Sequence, residues 1–89
     1  MPEKFSALLS RAARKSLDNL REPQLGQIRE KLRQICAAPD DPRLSIQLTG
    51  ATVRRARCGD LRILYTLDHN SHSITVLDVL PRDKAYRNF

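Results

Sequence analysis

The sequence has few aromatic residues, few cysteines and no long apolar run. Its 89 residues include no tryptophan, two tyrosines, two phenylalanines and two cysteines. No stretch approaches the roughly 20 consecutive apolar residues that a membrane-spanning helix needs. The amino-terminal residues show no long apolar segment and no small-residue cleavage site, so we expect no signal peptide and a cytoplasmic location. At this length we expect one domain over residues 1–89 with a single small core.

The sequence also lacks the residue patterns of metal-dependent and histidine-dependent nucleases. Cys36 and Cys58 have no flanking Cys or His ligands, so we interpret both as free thiols that fill apolar space. His69 and His72 fall in a predicted turn, and no pair of carboxylates is placed for Mg²⁺. The sequence therefore predicts no metal and no cofactor. If this protein cuts RNA, the 2′-OH of the RNA must be the nucleophile, and the protein supplies positive charge and proton transfer.

Acidic residues are outnumbered by basic ones. Lys and Arg total 16 against 10 for Asp and Glu, which gives a formal net charge of +6. Most of the basic residues are arginines, which keep their charge at any working pH and bind phosphate through two parallel hydrogen bonds. We therefore expect a polyanionic or acidic partner, with nucleic acid first and an acidic protein second. A basic surface that serves only solubility is the alternative.

Helical and strand patterns occupy separate parts of the chain. A short apolar run at 5–9 is compatible with an edge strand, and Ser10 can cap a following helix. Apolar residues at helical spacing then predict two helices, the second over 25–35. After a connector at 39–52 the period changes to two, which predicts strands at 53–58, 61–67 and 74–80 before a polar tail.

This order of elements is typical of an α+β fold. We expect an N-terminal strand and an antiparallel helical hairpin packed on one face of a mainly antiparallel four-stranded sheet. The other face of the sheet would be left open to a ligand or partner.

Four arginines fall where the sheet begins: Arg54, Arg55, Arg57 and Arg62, with only Asp60 opposing them. Arg55 and Arg57 point to the same face of a strand, and a tight turn at Gly59-Asp60 would set Arg62 beside Arg57. Like charges this close repel, and a bound phosphate or carboxylate would relieve the repulsion. A solvated strand face is the alternative.

The polar tail carries a second group of candidate residues: Arg82, Lys84, Tyr86 and Arg87. If the last two strands are neighbours, Arg82 leaves the sheet close to Arg62. Tyr86 could stack on a base or transfer a proton. Alternatively, its ring only covers the edge of the sheet.

These residues resemble a known family. Residues 55–65 read R-A-R-C-G-D-L-R-I-L-Y, which is similar to the R-x-R-x-G-D-Y-R-[VI]-[IVL]-Y signature of the RelE/ParE toxin superfamily. Residues 47–50 resemble the K-L-x-G that precedes that signature. Residues 74–80 and 81–87 resemble the last strand and the closing R-x-x-x-Y-[RK] of RelE-type members, with a Pro-Arg pair most like archaeal RelE proteins. The resemblance covers essentially the whole chain.

The resemblance implies a toxin of a type II toxin–antitoxin system. RelE members cleave mRNA in the ribosomal A site, using the 2′-OH and no metal, and a cognate acidic antitoxin suppresses them. The implied partners are therefore this antitoxin, the ribosome and mRNA, with no membrane. ParE members share the fold and inhibit DNA gyrase by protein–protein binding, which is the alternative function.

The resemblance also assigns roles to the two groups of basic residues. It implies a catalytic set of Arg55, Arg57, Arg62, Arg82 and Tyr86. We expect Arg54, Lys84 and Arg87 to bind RNA or the ribosome. Some family members have Lys where this chain has Arg55 and Arg57, and an arginine cannot act as a general base because its pKa lies above about 12. Tyr86, Lys84 or a ribosomal group is then left as the base.

Overall fold

Two helices and five strands form the described part of the chain, which comprises residues 4–48 and 52–81 of a computed structural model. In chain order the elements are β1 (Ser6–Leu9), α1 (Arg11–Asp18), α2 (Gln24–Ala37), β2 (Ser45–Gln47), β3 (Arg54–Cys58), β4 (Leu61–Asp68) and β5 (Ser73–Pro81).

The strands form one mixed sheet in the order β1-β5-β4-β3-β2. β1 pairs with β5 in parallel, and every other neighbouring pair is antiparallel. The α+β prediction is confirmed, but the predicted count of four strands is wrong. Residues 45–47, inside the predicted connector, pair with residues 54–56 of β3. Three residues are too few to show an alternating pattern, so the sequence carried no sign of this strand.

Ser10 fixes the start of α1 as the sequence predicts. Its Oγ accepts a hydrogen bond from the Ala13 N–H at 3.0 Å and donates one to the Leu77 carbonyl at 2.6 Å. The same hydroxyl therefore caps α1 and ties it to β5. Further along, Ser16 donates to Asp78 at 2.6 Å, which adds a second link between these elements.

The core lies between the helices and one face of the sheet. Four apolar residues at helical spacing form a stripe along α2: Ile28 and Ile35 are completely buried, and Leu25 and Leu32 are half-buried. The strands contribute Ala56, Ile63, Tyr65, Ile74, Val76 and Val79. None of the helices within residues 4–48 and 52–81 is long and apolar enough to cross a membrane.

The end of β5 is the start of the polar tail. Pro81 pairs with Leu61, so the strand runs one residue beyond its predicted end. The last described residue, Pro81, consequently lies beside the turn between β3 and β4. Residues 82–89 lie outside the described ranges, and with them the tail group of the sequence analysis.

Candidate nucleic-acid interface

Three arginines share the face of the sheet that is turned away from the core. In the pairing of β3 with β4, Arg57 lies directly opposite Arg62. Arg55 is two residues before Arg57 and therefore points to the same side. Ala56 and Ile63, which alternate with these arginines, belong to the core. The register thus places the three guanidinium-bearing residues on one face, as the sequence predicts, and we call them the arginine face.

The arginine face is less open than the sequence suggests. Arg57 is exposed and Arg55 half-buried, but Arg62 is only 4% exposed. The adjoining Leu64, on the same face, is 1% exposed. The expectation that this face is left open is therefore wrong along the first half of β4, where the Arg62 and Leu64 side chains are buried.

Arg62 folds back over the turn that precedes it. Its Nη1 donates to the carbonyls of Gly59 at 3.0 Å and Leu61 at 2.9 Å. Its Nε is buried and has no hydrogen-bond partner among residues 4–48 and 52–81. No ion pair within those ranges includes Arg62. A buried cation without a counter-ion is costly, so a bound anion would stabilise it.

The turn itself depends on a glycine. Gly59 has a φ of +59° at the first position of the two-residue loop between Cys58 and Leu61. Residues with a side chain rarely adopt that backbone conformation, whereas glycine does so without a steric penalty. Gly59 therefore holds Arg57 and Arg62 in their facing register.

A buried polar network supports the strand that carries the arginines. Arg54 lies on the core side of β3, where its Nε and Nη2 donate to the Oγ and the carbonyl of Ser45 at 2.8 and 3.0 Å. The Ser45 hydroxyl contacts the Tyr65 hydroxyl at 2.6 Å, and Tyr65 donates to the Pro39 carbonyl at 2.6 Å. These contacts fasten β2 and the preceding loop to β3 and β4.

This network was missed by the sequence analysis. Tyr65 belongs to the recognised signature, but nothing in the pattern joins it to Ser45 or Pro39. The contacts of Arg54 are structural. Its assignment to RNA or ribosome binding stays a prediction.

Replacing Tyr65 with phenylalanine is expected to destabilise the fold by about 1–3 kcal/mol. The change leaves the buried Pro39 carbonyl without its donor and the Ser45 hydroxyl without its acceptor. In thermal unfolding, Tm should fall by roughly 4–20 °C for a chain of this size. Ser71→Ala, which removes an exposed hydroxyl, is the control and should change Tm little. A Tyr65→Phe protein as stable as the wild type would contradict this role.

Both cysteines are free, half-buried thiols packed against the core. Burial raises the pKa of Cys36 and of Cys58, and nearby Lys4 and Lys31, respectively, oppose that rise only in part. A raised pKa means less thiolate at neutral pH, which suits the predicted role as apolar fillers.

The raised thiol pKa predicts slow alkylation. At pH 7, both cysteines should react with iodoacetamide more slowly than cysteine in an unstructured peptide. The alkylation rate should keep rising above pH 9, because the pKa of each thiol lies above the ordinary cysteine value of 9.0. Mass spectrometry of the quenched reaction measures this at each site. Faster labelling of Cys58 than of the peptide at pH 7 would show that Lys31 lowers the pKa of this thiol by more than burial raises it.

Of the other residues that the sequence analysis singled out, the structure describes the two histidines but not the tail group. Arg82, Lys84, Tyr86 and Arg87 lie outside the described residues. Arg82 follows Pro81, which pairs with Leu61, the neighbour of Arg62. His69 and His72 lie in the β4–β5 turn, with ring centroids 5.7 and 5.0 Å from that of Phe5. Within 4–48 and 52–81, no three His, Cys, Asp or Glu side chains come together as a metal site would require.

A family model for the ParE toxin of type II toxin–antitoxin systems, parDE, matches residues 7–86. The chain belongs to the RelE/ParE superfamily of toxins. No match was found among curated protein sequences.

Solved structures of RelE proteins share the fold of this toxin. The RelBE2 toxin–antitoxin complex of Mycobacterium tuberculosis matches with a TM-score of 0.76 and 23% identity, covering 90% of this chain and 100% of that one. The archaeal RelE–RelB complex of Pyrococcus horikoshii gives 0.74 and 21%, with coverage of 90% and 97%. The RelBE complex of E. coli gives 0.75 and 18%, with coverage of 86% and 95%.

Proposed function

We propose that this toxin is a ribosome-dependent mRNA endonuclease that acts in the cytoplasm and inhibits translation. The observation that carries the proposal is the arginine face, with Arg57 directly across from Arg62. Pro81, the last residue of β5, pairs with Leu61 beside the same turn, and Arg82 follows it in the sequence. Such a concentration of positive charge suits a phosphate that gains negative charge during a reaction.

The chemistry follows from the residues available. The 2′-OH attacks the adjacent phosphorus, and the bond to the 5′-oxygen of the next nucleotide breaks. The products are a 2′,3′-cyclic phosphate and a free 5′-OH. The arginines, which cannot accept a proton, stabilise the pentacovalent transition state. Tyr86, Lys84 or a ribosomal group removes the proton from the 2′-OH, and a second proton goes to the leaving oxygen.

A second candidate function is inhibition of DNA gyrase. The matched family model is that of the ParE toxin, and this match favours it. Arg82 and Tyr86 discriminate between the two functions, because a protein that only binds gyrase has no need of them.

Primer extension on a translated message tests the proposal. After the toxin is induced in cells, we expect cuts inside translated codons. Intact messages together with an induced DNA-damage response would overturn the endonuclease proposal in favour of gyrase inhibition.

Purified mRNA without ribosomes is expected to be cut poorly or not at all. A domain of 89 residues is too small to bury and align a nucleotide alone, so the ribosome should supply much of the alignment. Any slow cleavage at high protein concentration should be insensitive to EDTA. Gel analysis of end-labelled RNA measures both effects. Efficient, site-specific cleavage of the free RNA would contradict the expected dependence on the ribosome.

A cognate acidic antitoxin is the proposed regulator. The three similar structures described above are toxin–antitoxin complexes, and this chain carries a net charge of +6. We propose that the antitoxin neutralises the toxin by covering the arginine face or by displacing the tail. Charge attraction of this kind weakens with added salt.

A further inference from the structure

A cationic cleft opens at the edge of the sheet, next to the arginine face. β2 begins at Ser45, opposite Ala56, so β3 extends beyond it through Arg57 and Cys58. The space next to the first residue of β2 is a cleft of about 250 Å³. It lies between α2, the loop before β2, and β3.

Four cationic side chains line this cleft: Lys31, Arg43, Arg55 and Arg57. Arg55 and Arg57 belong to the arginine face, so the cleft and that face are continuous. Lys31 comes from α2 and Arg43 from the loop before β2, and neither belongs to the predicted catalytic set. Lys31 lies close enough to Cys58 to lower the pKa of that thiol against the effect of burial, which places its charge near the end of β3.

Arg43 is held in place by one carboxylate. Its Nε and Nη2 bond to Asp41 at 3.2 and 2.9 Å, and its backbone N–H donates to the same side chain at 2.9 Å. The pairing lowers the pKa of Asp41, so the pair is charged at neutral pH. The other N–H donors of the guanidinium are not used by Asp41, and the cleft keeps an excess of positive charge.

The size and lining of the cleft select a phosphate over a nucleobase. Its volume is below the roughly 300–1,000 Å³ of pockets that enclose drug-sized molecules. None of its lining residues is aromatic, so a base would find no ring on which to stack. Arginine and lysine side chains that converge on a small space are suited to phosphate oxygens.

We propose that this cleft binds a backbone phosphate of the message, next to the phosphate that is cleaved, with Lys31 and Arg43 as its dedicated cations. The proposal rests on the proposed endonuclease function and extends its site around the edge of the sheet. Arg57 lines the cleft and also faces Arg62, so it lies between the two phosphate positions. Because phosphates carry no sequence information, the cleft fixes the position of the strand without selecting codons.

A wider groove continues from the same point but is less suited to phosphate. It has a volume of about 600 Å³ and shares Lys31 and Arg57 with the cleft. Its lining includes Glu30, a carboxylate that repels phosphate oxygens. The smaller cleft is therefore the better phosphate site.

The first test is an NMR titration of the isolated chain with a five-nucleotide single-stranded RNA and, separately, inorganic phosphate. We expect shifts of the Leu44 and Ser45 amides and of the Arg43 Nε–H signal. Lys31→Gln combined with Arg43→Gln should weaken RNA binding about 10-fold and reduce the slope of log affinity against log salt by about 1. Arg29→Gln combined with Arg33→Gln removes the same charge outside the cleft and should leave the Leu44 and Ser45 shifts intact.

The second test separates this proposal from the endonuclease function. On programmed ribosomes, the Lys31→Gln/Arg43→Gln protein should need about 10-fold more toxin for half-maximal cleavage, with an unchanged maximal rate. Wild-type cleavage on ribosomes, together with no shift of the Leu44, Ser45 and Arg43 signals when RNA is added, would overturn the cleft proposal alone. Shifts in the cleft without ribosomal cleavage would overturn the endonuclease proposal alone. A glutamate-rich peptide that binds the cleft more tightly than RNA would overturn the cleft proposal in favour of a protein-binding surface.

Discussion

Replacing Arg82 with alanine is expected to lower the single-turnover rate of mRNA cleavage on programmed ribosomes by about 10²–10³-fold. Arg82 follows Pro81, which pairs with Leu61 beside the turn that Arg62 caps. We predict that the Arg82 guanidinium contacts the phosphate bound at the arginine face. Its contribution grows as negative charge develops in the transition state, so the loss should affect the chemical step.

The assay must separate this chemical effect from binding. Saturating toxin and a single turnover report the chemical step alone. Arg14→Ala removes the same charge from the exposed side of α1 and should leave the rate within about twofold of wild type. If the Arg82→Ala protein is folded, bound to the ribosome and fully active, the catalytic assignment of Arg82 is wrong. That result would favour gyrase inhibition as the function.

Arg62 should contribute to both the fold and the reaction, and two substitutions distinguish these roles. Arg62→Ala removes a buried side chain and the two hydrogen bonds that its guanidinium donates to the Gly59 and Leu61 carbonyls. We expect a loss of about 2–4 kcal/mol, because truncation to alanine leaves a cavity where the buried side chain lay. Thermal unfolding should show a Tm lower by roughly 10–30 °C.

Arg62→Met keeps most of the buried volume but has no donor and no charge. We expect its stability to lie within about 1 kcal/mol of the wild type, since the buried unpaired Nε is removed along with the hydrogen bonds. Its cleavage rate should still fall about 10²–10³-fold, because the charge that faces Arg57 is gone. A stable Arg62→Met protein with wild-type cleavage would limit Arg62 to a structural role.

Most of the fold could be predicted from the sequence because its patterns are local. The apolar stripe of α2, the Ser10 cap and the alternation along β3, β4 and β5 each reflect one element packing against one core. β2 could not be predicted in this way. Its three residues owe their strand conformation to pairing with β3 and to the Ser45 contacts with Arg54 and Tyr65.

The arginine face was predictable for the same reason, since side-chain alternation and a two-residue turn fix which residues face each other. The burial of Arg62 was not. The residue type and its spacing predict a solvated cation, whereas the guanidinium folds back onto the Gly59 and Leu61 carbonyls. The inclusion of Lys31 and Arg43 with Arg55 and Arg57 also depends on tertiary structure, because those residues come from three separate segments.

The central claim is tested most directly on purified ribosomes that carry a 5′-labelled message with a defined codon in an empty A site. We predict that the wild-type protein cuts the message inside that codon and leaves a 2′,3′-cyclic phosphate on the upstream fragment. An intact message, with the same protein preparation blocking DNA supercoiling by purified gyrase, would contradict it.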